Sequence, residues 1–467
     1  MKLQLFDKQV YEQRRSVLKQ KMSGKGIIVL MGNDESSMNY KDNTFPFRQD
    51  SSFLYYFGLD VAGLAAVIDT NSGDEIIFGN DLTIDDIVWT GTLPSVSEMA
   101  ALVGVSKTQA YPQIAAYIGK ATSAGRQVHL LPPYRPENKI KLASWLQIDL
   151  DGLKNYVSVE LIKAVISQRV IKTPLEVAEI EKAVNTSVDM ELAVIRSARA
   201  GMREYELVAK AHELAIANDS RLGYPAIITK HGQTLHTHYY GNVLSDDDMV
   251  LADIGAENAM HYGGDLTRTF PVGKQFDTRQ GELYDVVVQS MDHAISMLKP
   301  GVRYKDIHLQ ACQKLVEGLK TVNLMKGDAE EAVAAGAHTM FFQCGLGHML
   351  GMDTHDMEDL GEHYVGYSDV LKKETEIFGL KSLRLGRELE AGYVLTVEPG
   401  IYIIPELIDR WQAEKKYQEF INYEVLITYR DFGGIRVEDN FLITDTGSQL
   451  LGKYLPKTRQ EIEALRA

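Results

Sequence analysis

Cysteine is nearly absent from this chain of 467 residues: only Cys312 and Cys344 occur. Two thiols cannot build a disulfide framework, which excludes the small secreted scaffolds held by bridges and suits a reducing cytoplasm. Cys312 lies in ACQKLVEGL at helical spacing and reads as a small core residue. Cationic side chains are in deficit too, with 49 Lys and Arg against 64 Asp and Glu, a net charge of −15. Nucleic-acid surfaces concentrate Lys and Arg on one face, so no nucleic-acid partner is expected. Long apolar runs are also missing. None approaches the roughly 18 residues that span a bilayer. The opening MKLQLFDKQVYEQRRSVLKQKM is charged throughout and lacks the apolar stretch of a secretory leader. A cytoplasmic protein without membrane attachment is the expectation.

What is present is 45% hydrophobic residues, enough in a chain of this length to bury at least two cores. In the first third, IIVLMGN, LAAVIDT, DEIIFG and VHLLPP read as strands, interleaved with helical patterns near 7–22, 96–103 and 112–124. That predicts an α/β domain over 1–171. The junction KTPLEVAEIEKAV then carries a helix start: Thr173 as cap, Pro174 in the first turn and Glu176 to complete a capping box. Val177, Ile180, Val184, Val188, Leu192 and Ile195 follow at spacings of 3 or 4, one buried stripe.

From 172 to 467 the pattern runs twice. Helices to about 217 precede strand-like PAIITK, VLADIGAE and HYGGDLTRTFPV; helices at about 280–298 and 304–320 precede strand-like YVLTVEPGIYII, YEVLITYR and GIRVEDNFLIT. This predicts an α+β domain with internal pseudo-symmetry, carrying PELIDRWQAEKKYQEFI as an inserted surface helix.

Four acids interrupt those strands: Asp253, Asp265, Glu398 and Glu438. Buried strands exclude carboxylates unless these are paired or bind metal. Each alone reads equally well as an edge or turn residue; together they point to a site. If Glu257 pairs with His261 across a turn, Asp253 and Asp265 lie directly opposite on one face. Two carboxylates so placed repel unless a cation stands between them. His348, in the glycine-broken run FFQCGLGHMLGMDTHDMEDLGE, is the natural nitrogen ligand, and the five make an oxygen-rich set with donors for two divalent ions.

The order Asp, Asp, His, Glu, Glu resembles the metal-binding pattern of the pita-bread metallopeptidases, in the Xaa-Pro aminopeptidase (aminopeptidase P) and prolidase branch. FRQDSSFLYYFGLD and the WTG of Trp89–Gly91 resemble the aminopeptidase P N-terminal domain, and KTPLEVAEIEKA its domain junction. The resemblance implies a pita-bread catalytic domain binding two divalent metal ions, usually manganese. Asp253 would serve one ion, His348 and Glu398 the other, and Asp265 and Glu438 both. It implies a hydroxide shared by the pair, attacking the carbonyl before proline. Proline's amide nitrogen carries no hydrogen by which an ordinary peptidase could hold the bond, so such a site must grip the ring instead, and it must protonate the departing nitrogen. Glu398 is assigned to proton handling and His355 to the substrate carbonyl, although His355 taken alone reads as a surface loop histidine.

A substrate histidine is expected in QTLHTHYYGN: His236 is favoured and His238 is the alternative. Arg436 falls on the same side of its strand as Glu438, as a charge partner or substrate contact. Trp89 reads as core by composition and as a residue of the site's mouth by resemblance. The chain departs from the family twice. Asp253 and Asp265 stand one residue further apart than usual, and Cys344 occupies a place where the family generally has histidine. The implied substrates are peptides with proline second, and the implied assembly is a homo-oligomer, dimer or tetramer. A prolidase restricted to Xaa-Pro dipeptides is the runner-up, and a metal-free pita-bread binding module is the alternative of another class.

Overall fold

The computed structural model describes residues 3–467. The backbone forms two compact units that divide the chain between Arg169 and Val170, two residues before the boundary expected from the sequence.

The first unit is built on a five-stranded mixed sheet, ordered Lys107–Gln109, Glu75–Phe78, Ala65–Asp69, Ile27–Met31 and Val128–Leu130. The inner pairings are antiparallel and the two edge pairings parallel. Val29, Val67, Ile76 and Phe78 pack with Ile114 and Ile118 of helix Gln113–Ser123 and Leu142 of helix Pro136–Leu146. Arg15 is fully buried, but its guanidinium binds Glu75 and the carbonyls of Tyr56 and Val103, so the charge is paired. The motif FRQDSSFLYYFGLD forms the buried helix Ser51–Phe57, capped by Asp50, which accepts from the Phe53 amide at 2.8 Å. Gly58 ends it at φ 64° with the Tyr11 ring against its α-carbon, a position that admits no side chain.

In the second unit the capping box at Thr173 and Glu176 starts helix Pro174–Ser197 as expected. That helix packs on Glu204–Ala217, and Thr278–Ser296 packs likewise on Tyr304–Thr321. Each helix pair accompanies a three-stranded antiparallel sheet. One is ordered Thr267–Pro271, Met249–Asp253, Ile227–Thr229; the other Val394–Val397, Asp439–Ile443, Ser448–Leu450. This doubling is the internal symmetry the sequence implied. The halves join where the Glu438 amide donates to the Thr267 carbonyl at 3.0 Å.

Two expectations need correction. Asp253 pairs with Thr267, and Glu257 bridges Gly263, so the register is shifted by two residues from the one that set Asp253 opposite Asp265. The cause is a longer turn in which His261 takes a left-handed φ of 63°. Because side chains alternate with period 2, a shift of two keeps both aspartates on the same face. The second correction is YEVLITYR, which forms helix Tyr423–Leu426 and a 3-10 turn Ile427–Tyr429 rather than a strand. Its buried residues are Tyr423, Leu426 and Tyr429. That spacing of three belongs to a helical turn; a strand would bury every second residue.

Candidate active site

The ends of the strands bring the four acids together. Asp253 closes Met249–Asp253, Asp265 precedes Thr267–Pro271, Glu398 follows Val394–Val397, and Glu438 lies between Gly434–Arg436 and Asp439–Ile443. With His348 they line one cavity of about 500 Å³ that His236, His238, Cys344, His355 and Arg436 also line. Every expected site residue of the second unit is therefore in one place. Trp89 belongs to the first unit, where it is 86% exposed on the short helix Ile84–Thr90. The composition-based reading of Trp89 as core is wrong, and its link to substrate rests on the resemblance alone.

The carboxylates are held by a few donors. Tyr224 Oη lies 2.6 Å from Asp253 Oδ1 and 2.5 Å from Asp265 Oδ1, tying the two together. Arg436 donates to the other Asp253 oxygen, to Tyr402 Oη at 2.9 Å and to Thr267 Oγ1 at 3.2 Å. Thr267 Oγ1 donates to Glu438 Oε2 at 2.7 Å, while Glu438 Oε1 is buried with no partner among the described residues. His348 Nδ1 lies 3.0 Å from the Met349 carbonyl. A carbonyl only accepts, so Nδ1 carries the hydrogen and Nε2 turns to the acids, 3.3 Å from Asp265 Oδ2 and 3.5 Å from Glu398 Oε1.

Charge at this site is unbalanced. Three buried carboxylates and the half-buried Glu398 face one guanidinium and one imidazole. Burial pushes Glu398 up to about 7 and Asp253 and Glu438 upward. Burial acts the same way on Asp265, but hydrogen bonds from His348 and Tyr224 outweigh it and hold Asp265 low. Burial works against charge on His348, yet Asp265 and Glu398 raise it. Such a set fits divalent cations: one oxygen lacks a partner, the acids repel, and donor atoms of Asp265, His348 and Glu438 lie within 4.8 Å of one another.

Around this centre, His355 sets its ring edge-on to His348, centroids 4.4 Å apart, with Nδ1 2.6 Å from Glu358 Oε2. Burial and His348 hold His355 below the ordinary histidine value. His236 and His238 both stand on the exposed side of the cavity. Partial burial and the field of Arg436 lower His236. Cys344 Sγ is 3.8 Å from Tyr402 Oη, and burial pushes its thiol up to about 12, so it is not a thiolate at neutral pH. Sequence reasoning missed Tyr224, Thr267 and Tyr402. Thr267 was open to discovery, since it lies two residues from Asp265 on the same strand face; Tyr224 and Tyr402 carried no local signal.

Residues 178–445 match the model of metallopeptidase family M24. The chain belongs to that family. Residues 11–130 of this M24 peptidase match the aminopeptidase P N-terminal domain. The Xaa-Pro dipeptidase of Homo sapiens is 30% identical over 451 residues, covering 94% of this chain and 88% of the relative. A probable Xaa-Pro aminopeptidase of Aspergillus niger is 31% identical over 456 residues, covering 94% and 92%. A substituted form of Escherichia coli aminopeptidase P in complex with substrate superposes with a TM-score of 0.81 at 26% identity, covering 99% of both chains. The M24 peptidase therefore sits in the Xaa-Pro aminopeptidase and dipeptidase branch, with the pita-bread catalytic fold that the resemblance implied. No described helix is long and apolar enough to cross a membrane.

Proposed function

We propose that this M24 peptidase is a dimetal Xaa-Pro aminopeptidase, removing the first residue from peptides whose second residue is proline. The observation that carries this reading is the convergence of Asp253, Asp265, His348, Glu398 and Glu438 on one cavity, with Glu438 Oε1 buried and unpartnered among the described residues. These five residues would hold two divalent ions, Mn2+ by analogy with the family. When bound, such a pair supplies an acidified water as nucleophile and Lewis-acid polarisation of the scissile carbonyl.

The remaining chemistry belongs to side chains of this chain. Tyr224 and Arg436 fix Asp253 and Asp265 so that the site keeps its shape against carboxylate repulsion. Glu398 takes a proton from the attacking water and passes it to the departing proline nitrogen. Protonation is required there, as for any amide, because the unprotonated amine anion is too basic to leave at neutral pH. His355 faces the carbonyl, its ring oriented by Glu358, which accepts from Nδ1 and opposes the burial and the His348 field that disfavour the charged, doubly donating form. His236, with His238 as the alternative, and Cys344 contact the substrate, and Arg436 stabilises charge near it.

The test is hydrolysis by metal-stripped protein supplied with Mn2+, comparing an Xaa-Pro dipeptide with a tripeptide of the same start. Cleavage of both supports the aminopeptidase. Cleavage of the dipeptide alone makes the protein a prolidase, a reading favoured by the identity to the human dipeptidase. No cleavage and no bound metal would leave only a binding role. Cytoplasmic location and a homo-oligomeric assembly complete the proposal.

A further inference from the structure

A second group of metal-binding side chains lies in the catalytic unit, apart from the carboxylates. His308 and Cys312 stand one turn apart on helix Tyr304–Thr321, and His338 lies in the 3-10 turn Ala337–Met340 that packs on it. All three are buried, at 1%, 0% and 3% exposure. One donor atom from each lies within 4.8 Å of the others. His338 Nδ1 is buried with no hydrogen-bond partner among the described residues, a costly state for an imidazole nitrogen unless a bound group satisfies it. Cys312 Sγ is 3.6 Å from His308 Nε2. Bonds of about 2.3 Å to sulfur and about 2.05 Å to nitrogen at a tetrahedral angle also place the two donors about 3.6 Å apart.

We propose that His308, Cys312 and His338 form a buried site for one d10 cation, Zn2+ or Cu+. The donor set of two nitrogens and one sulfur is soft, whereas the five residues of the candidate active site offer four carboxylates and one imidazole, so the two sites select different ions. Burial lowers His308 to about 3 and His338 to about 4, leaving both rings neutral with lone pairs available at pH 7. Burial raises the Cys312 thiol. On binding, the S–H bond breaks, the proton leaves to solvent and a sulfur–metal bond forms. Because the site is closed to solvent, the ion enters as the unit folds. It would pin the turn Ala337–Met340, which leads into Cys344 and His348, to the long helix.

Because the site is closed in the folded unit, the protein is unfolded, stripped of metal and refolded in separate samples with Zn2+ and, anaerobically, with Cu+, and its ions are counted by native mass spectrometry. The expected result is one more ion in the wild type and in Cys344→Ser than in Cys312→Ser, for at least one of the two metals; equal counts for both metals overturn the proposal. X-ray absorption at the metal edge covers the case in which Cys312→Ser fails to fold. Wild-type and Cys344→Ser proteins should each show one sulfur neighbour at the extra ion, and its absence from either overturns the site. Neither readout depends on peptidase activity, so failure here and failure of the proposed function are distinguishable.

Discussion

Tyr224 Oη stands between Asp253 and Asp265, 2.6 Å from an oxygen of one and 2.5 Å from an oxygen of the other. One hydroxyl has one hydrogen to give, so this contact alone cannot neutralise two carboxylates; it fixes their spacing. Tyr224→Phe should therefore lower metal affinity or kcat/KM about 10- to 100-fold, the usual cost of losing a group that orients metal ligands. Titration of stripped protein with Mn2+ measures it, and an unchanged affinity and rate would remove Tyr224 from this role.

Arg436 presents three donors in one plane, to Asp253, Tyr402 and Thr267. A lysine cannot reproduce that fork. Arg436→Lys should cut kcat/KM at least about tenfold, and full activity would show that charge alone suffices.

His348 and His355 touch edge-on, and the proposed function gives them different duties. His355→Ala should keep the metals and lose about 10²- to 10³-fold in kcat, as when a donor to developing carbonyl charge is removed. His348→Ala should lose metal. Metal content measured beside kcat separates the two, and metal loss from His355→Ala would reverse the assignment.

Much of this site was legible because carboxylates in apolar strands are costly enough to need a reason. The order of Asp253, Asp265, His348, Glu398 and Glu438 then gave the family pattern. The register between the aspartates was not legible: it depends on the left-handed turn at His261, which no alternation pattern encodes. The face survived the error because a two-residue shift preserves it. YEVLITYR misled because its β-branched and aromatic residues favour strands, and tertiary packing of Tyr423, Leu426 and Tyr429 overrode that preference. Tyr224 lies 29 residues before Asp253, and only the fold brings the two together.

Cys344 offers a neutral thiol where the family generally has an imidazole. Cys344→His should change kcat/KM or the preference among Xaa residues while leaving metal content intact. Identical rate and selectivity would mean that the position does not face substrate.

In the first unit, Arg126 grips Asp69 with both terminal nitrogens. Burial raises the Asp69 carboxyl, but Arg126 and the amides of Ser72 and Asn71 outweigh it and hold the group at about 2, below its ordinary 3.8. A carboxyl depressed on folding adds stability above its unfolded pKa, and loses it as pH falls through the folded value. The stability difference between wild type and Asp69→Asn should be constant above about pH 5 and shrink toward pH 2. Denaturant unfolding against pH checks this; a pH-independent difference would contradict it.

The central claim is that five side chains hold two divalent ions at the cavity. Anomalous diffraction at the manganese edge, from crystals of Mn2+-loaded protein, tests it most directly. The account predicts two peaks enclosed by Asp253, Asp265, His348, Glu398 and Glu438. A single peak, or none within reach of these residues, would contradict it.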